Sequence, residues 1–173
     1  MKLGYSIPIV ISVISILISL IVAYGNAKYY EVNIRYASRN HYMTVLFELD
    51  KQLINNPKLW AVYDTHPLSS SKLNETPEEK AKREAFIWFH FNLFESVFND
   101  YNNVIKLTKV DSQFWESWKS NIELFLGNSL EARKLFKDSF SQRIFIKDYV
   151  TFMNEIIKKV EMKTDNLIYP NLV

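Results

Sequence analysis

The chain has 173 residues, 21 basic and 19 acidic side chains and a formal charge of +2. Both signs are mixed along its length with no basic block, which argues against nucleic acid as a partner. With no cysteine, three glycines and five prolines, it lacks a disulfide scaffold, any thiolate site, the turn chemistry of an all-β protein and the glycine loops of nucleotide-binding folds.

Leu3 to Ala27 is a run without a charged side chain, bracketed by Lys2 and Lys28, and its centre reads IPIVISVISILISLIVA. A bilayer core takes roughly 20 apolar helical residues to cross, and a lone segment crosses it only as a helix, because each backbone group must find its partner internally. Residues 1–28 are therefore expected to form a transmembrane anchor, with the bilayer as the first partner. Gly25-Asn26-Ala27 also fits a small-x-small cleavage site, so a cleaved signal peptide is the competing expectation; its positive n-region is a single lysine plus the amino terminus. Lys28, Arg35 and Arg39 follow the anchor where only Lys2 precedes it, which places the bulk of the chain in the cytoplasm. Ser15, Ser19, Ala23 and Ala27 recur every four residues, extended by Ser12. Small residues on one face allow close helix approach in lipid, so they are candidates for intramembrane packing against another subunit or a second copy.

Residues 29–162 are expected to form one helical bundle, and 163–173 a polar tail. From Tyr29 no glycine or proline intervenes before Pro57, so the anchor helix is expected to continue. Val32, Tyr36, Met43, Leu46 and Leu53 form its apolar stripe, widened by Tyr42 and Leu49. Asn55-Asn56-Pro57 closes it, Lys58 to Tyr63 forms a short turn of helix, and Leu68–Asn74 (LSSSKLN) is expected to be a mobile surface loop. Thr76-Pro77-Glu78-Glu79 carries a helix start: a threonine cap, proline at the first position, and Glu79 three residues after the cap. That helix is expected to run to about Leu107. Its middle, AFIWFHFNLFESVF, is apolar on nearly every face, marking it as the centre of the domain or as one side of a protein interface.

A fourth helix is expected from Asp111 or Ser112, with a stripe through Trp115, Trp118 and Ile122 and an end at Gly127. Asn128 or Ser129 caps a short helix, with Glu131 as capping-box partner of Asn128, and a last long helix spans about Ser141 to Met162. The expected fold is all-α: a single N-terminal transmembrane helix continuing into a four-helix-type antiparallel bundle with short connecting helices.

Little in this chain is arranged for chemistry. His41, His66 and His90 share no i, i+3 or i, i+4 spacing, and HExxH and the ExxH pair of di-iron bundles are both missing. No GxSxG elbow or phosphate-cradling loop occurs. No catalytic residue, metal ligand or cofactor is therefore assigned. Glu95, set among Leu93, Phe94, Val97 and Phe98, is expected to be buried and to need a donor-rich partner; Arg39 is the candidate, as an interhelical pair fixing register. Trp60, Trp88, Phe91, Trp115 and Trp118 are candidates for aromatic packing or for an interface.

The order of an N-terminal membrane helix, the stretch Asn56-Pro57-Lys58-Leu59-Trp60-Ala61-Val62-Tyr63, a Phe-rich helix with Asn92 and Glu95, and then Trp115-x-x-Trp118 resembles a group of uncharacterised prokaryotic membrane-anchored helical proteins. In these, N-P-x-L, an acidic residue in an aromatic helix and W-x-x-W recur in the same order. The resemblance covers about Tyr36 to Tyr149 and implies the architecture without an activity. The expected function is a non-catalytic accessory or scaffold subunit of a membrane complex. The alternatives are a membrane-tethered adaptor binding a soluble protein through Leu68–Asn74 or the tail, and an enzyme or cofactor-binding bundle.

Overall fold

The computed structural model describes residues 6–102, 107–138 and 140–168 and contains no strand among them. Packing divides the chain into two units, Met1–Thr44 and Val45–Val173. The first helix, α1 (Ser6–Asn55), supplies residues to both.

In the first unit, α1 is the one helix among the described residues that is long and apolar enough to cross a membrane. Its isoleucines, leucines and valines from Val10 to Val22 are exposed. Ser19 donates its hydroxyl to the carbonyl of Ser15 at 2.8 Å. A serine that returns its hydrogen bond to the preceding turn is tolerated in an apolar helix, because no polar atom is left orphaned.

In the second unit, α1 ends at Asn55, and the Asn56 amide N–H donates to the Gln52 carbonyl at 2.9 Å. Pro57 then opens a 3₁₀ helix, Pro57–Val62, whose Leu59, Ala61 and Val62 are buried. The stretch read as a loop is a second 3₁₀ helix, Pro67–Asn74. His66 Nδ1 accepts the Leu68 amide at 3.2 Å and so caps it. Proline at the first position and a side-chain acceptor at its start provide the signals a loop reading overlooks.

Helix α2 (Pro77–Tyr101) starts with the expected capping box: Glu79 N–H donates to Thr76 Oγ1 at 3.2 Å, and Thr76 N–H donates to Glu79 Oε2 at 2.9 Å. It ends at Tyr101, short of the expected Leu107. Thr108 caps α3 (Lys109–Gly127), which starts two or three residues earlier than the expected Asp111 or Ser112; its hydroxyl accepts the Asp111 amide at 3.1 Å and donates to Asp111 Oδ2 at 2.7 Å. Gly127 closes α3, although no glycine among the described residues adopts a left-handed conformation. The Arg133 guanidinium does the capping instead, donating to the Leu126 and Gly127 carbonyls.

Ser129 caps α4 (Leu130–Lys137), its hydroxyl accepting the Ala132 amide at 3.1 Å. The expected last helix is divided into a single turn, α5 (Ser141–Ile144), and α6 (Lys147–Ile168), because Phe145 is extended. Of the expected tail, 169–173 lie outside the described residues.

The core lies where α2 meets α3 and α6, with α4 against α3 and the Pro57–Val62 turn against α2. Phe91, Phe94 and Phe98 of α2, Trp118 and Ile122 of α3, Phe136 of α4, and Tyr149 and Met153 of α6 are all inaccessible. Lys159 and Lys163 reach Glu123 at 2.6 and 2.5 Å across α6 and α3; such exposed pairs contribute at most about 1 kcal/mol each.

A less exposed charge cluster ties the segment before α2 to α4. Arg83, nearly buried, donates Nε to Glu131 Oε2 at 2.8 Å and Nη2 to Glu75 Oε1 at 2.7 Å. Lys72 sits 3.3 Å from both Glu131 and Asp64, and Asp64 accepts the Leu130 amide at the start of α4. Glu131 thus serves Arg83, not a capping box with Asn128. Removing one partner of a buried pair leaves uncompensated charge, at a cost of roughly 3–5 kcal/mol when burial is complete. Partial exposure of both glutamates and the nearby Lys72 reduce this. Arg83→Met is expected to lower unfolding stability by about 2–3 kcal/mol, and Lys72→Met by less than about 1. Equal losses in denaturant titrations of the detergent-purified protein would contradict the central place given to Arg83.

Candidate functional site

His90 lies in the most aromatic part of α2, and its surroundings define its chemistry. Its ring stacks on Phe125 with centroids 4.4 Å apart and meets the edges of Phe86 and Phe94. Nδ1 lies 2.9 Å from the Phe86 carbonyl, so that nitrogen carries the proton and donates one turn back. Burial pushes its pKa down to about 4. Among the described residues, no three His, Cys, Asp or Glu side chains come together in an arrangement fit for a metal ion. His90 is a neutral core side chain stacked among rings.

Because the unfolded chain protonates this histidine near 6.5 and the fold resists protonation down to about 4, stability is present above 6.5 and lost as pH falls through that window. The loss between pH 7.5 and 5 is about 2 kcal/mol. His90→Phe, which preserves the stack, is expected to flatten that part of the profile. Superimposable stability–pH curves for wild type and variant would exclude this role.

Glu95 is half-buried, and its Oε1 accepts the Ile146 amide at 3.0 Å, just ahead of α6. This is a helix-start contact: a carboxylate satisfies a donor at the positive end of a helix dipole. It also explains why the apolar run through Phe145 and Ile146 breaks instead of continuing α5. Arg39 belongs to the first unit, where its guanidinium lies 5.8 Å from the centre of the Tyr36 ring. Glu95→Leu is expected to cost about 1 kcal/mol in thermal unfolding and Glu95→Gln, which keeps an acceptor, about half of that; an unaffected Glu95→Leu variant would exclude the helix-start role.

The aromatic candidates separate by position. Phe91 and Trp118 are inaccessible, and Trp115 is buried against Phe98 and Phe152 at 6.2 and 5.5 Å. Trp88 is half-buried, stacked on Phe145 and edge-on to Phe140. Trp60 is half-buried and stacks on His66 at 5.1 Å. All five pack within the second unit. The buried Tyr149 hydroxyl donates to the Phe91 carbonyl at 2.9 Å. Burial raises the Tyr149 pKa well above its ordinary value, so it remains a neutral donor.

Some apolar surface is left exposed as well. A groove of about 520 Å³ runs between the end of α1 and α2, floored by Leu49, Leu59 and Phe86 and edged by Val45, Phe89 and Lys82. Phe89 is 63 % exposed at its rim. On α1 itself, Phe47 and Ile54 are 58 % and 72 % exposed. Ser15, Ser19, Ala23 and Ala27 are likewise uncovered along the first unit, as is Ser12. This arrangement offers apolar contact area.

Comparison of the chain with protein-family models, with curated proteins and with solved structures gave no match.

Proposed function

We propose that this chain is a non-catalytic accessory or scaffold subunit of a membrane protein complex, anchored by α1 with its helical domain on the cytoplasmic side. One observation carries the reading: the apolar surface left uncovered lies on α1 from Val10 onward. Monomeric soluble proteins rarely leave so large a contiguous patch exposed. The buried polar groups support it. His90 is held neutral among rings, Glu95 is engaged at the start of α6, and Arg83 is held between two carboxylates. The excess of Lys28, Arg35 and Arg39 over Lys2 favours the cytoplasmic placement.

Within the bilayer, the small-residue face through Ser15, Ser19, Ala23 and Ala27 is the proposed packing surface. Native purification with mass spectrometry is expected to recover the chain in a stoichiometric integral-membrane assembly. Ser19→Leu with Ala23→Leu is expected to dissolve the assembly and leave insertion intact. A monomeric wild-type chain, or one bound only to a soluble protein, would refute the accessory role. A chromophore or tightly held metal in the absorption spectrum or elemental analysis would favour a cofactor-binding bundle instead.

A further inference from the structure

Helix α1 carries large apolar side chains on two faces. One carries Tyr42, Leu49 and Leu53, all buried. At about 100° per residue, Phe47 and Ile54 point away from Leu49 and Leu53, and both are exposed. Following Phe47 back along the helix gives Asn40, Asn33 and Asn26 at steps of seven. Between them, alternately three and four residues away, come Met43, Tyr36 and Tyr29. All seven are exposed. These positions follow the alternating three- and four-residue spacing of a coiled-coil a/d seam, with asparagine at three successive a positions and Phe47 at the fourth. The same period passes upstream through Val22, Ser19, Ser15 and Ser12.

We propose that this seam pairs α1 with α1 of a second copy of the chain, as a parallel two-stranded coiled coil from Asn26 to Phe47. The proposal rests on the membrane-spanning reading and names the partner. Two copies inserted through one bilayer in the same sense lie parallel and at equal depth, so each seam residue faces its own image. An asparagine amide both donates and accepts, and therefore pairs with its own image. A foreign helix would have to present three asparagines at the same spacing and depth. Asparagine at an a position selects two strands and fixes register, at a cost in stability. Confinement to a bilayer offsets that cost, because it raises the effective concentration of one seam around the other. The next d position is Asp50; facing carboxylates repel, and the coil ends at Phe47.

The chain has no cysteine, so single cysteines report cleanly in the full-length protein. Tyr36→Cys, Asn40→Cys and Met43→Cys test the seam. Glu31→Cys and His41→Cys, exposed positions turned away from it on the same helix, serve as controls. After mild oxidation in native membranes, the three seam variants are expected to form disulfide-linked dimers severalfold more than the two controls. Equal cross-linking at all five positions, or none at the seam, overturns the coil. If another integral-membrane protein co-purifies while the seam stays uncross-linked, the coil falls and the accessory role stands. If carbonate extracts the chain from membranes yet the seam still cross-links selectively, the coil stands and the membrane-spanning reading falls.

Discussion

The second unit depends on the need to bury a helix that is apolar over most of its circumference, with Asn92, Ser96 and Asn99 on its one exposed side. From Phe86 to Phe98, α2 presents aromatic or aliphatic side chains in nearly every direction, and Phe86, Ile87, Phe91, Phe94, Val97 and Phe98 are all but inaccessible. Each large apolar side chain left in water costs roughly 1.5–3 kcal/mol, so α2 is tolerable only when other elements cover its apolar sectors. Helices α3 and α6 and the Pro57–Val62 turn each take a sector, while Phe136 of α4 meets Phe91 at 5.1 Å. The ring-to-ring contacts run continuously from Trp88 through Phe91 and Phe136 to Tyr149, Phe98 and Trp115. Edge-on and offset geometries dominate, as ring quadrupoles prefer.

That enclosure dictates what the polar atoms in the core can do. A histidine between Phe86, Phe94 and Phe125 is desolvated and remains neutral. A tyrosine hydroxyl facing α2 must find a backbone acceptor, and Phe91 supplies it. Where chain segments enter or leave the enclosure, donors at helix starts are met by side chains from elsewhere in the sequence. Glu95 receives Ile146, Asp64 receives Leu130, and Arg133 covers the end of α3. Capping contacts of this kind contribute roughly 0.5–2 kcal/mol each, so they help fix where each helix begins and stops.

The difference between local and long-range determinants marks what could be read from the residues alone. Thr76 with Glu79, Ser129 ahead of α4, and Pro57 opening a turn are contacts within a few residues, and their spacing is written in the chain. The all-α fold follows from the same periodicities. Arg83 with Glu131, Asp64 with Leu130, and Glu95 with Ile146 join residues far apart in sequence. No period connects them, which is why the break between α5 and α6 looks like continuous helix. The paired roles of Glu131 illustrate the ambiguity: its spacing from Asn128 fits a capping box, but a nearly buried arginine holds it instead.

The stripe on α1 shows a subtler limit. Val32, Tyr36, Met43, Leu46 and Leu53 follow a near-heptad rhythm, yet the first three are exposed while Leu53 is buried. A seven-residue repeat drifts by about 20° per heptad on a straight α-helix, so such a line winds round the helix and changes face along its length. Tyr36 and Met43 belong to the outer seam with Phe47; Leu53 belongs with Leu49 on the buried face. Two apolar faces on roughly opposite sides of one helix cancel in any measure of one-sided amphipathicity. Burying only the inner face would leave Tyr29, Tyr36, Met43 and Phe47 in water, whereas a second covered face accounts for these four. One helix thus supplies a wall of its own domain and, on its other side, a surface whose repeated asparagines match their own image.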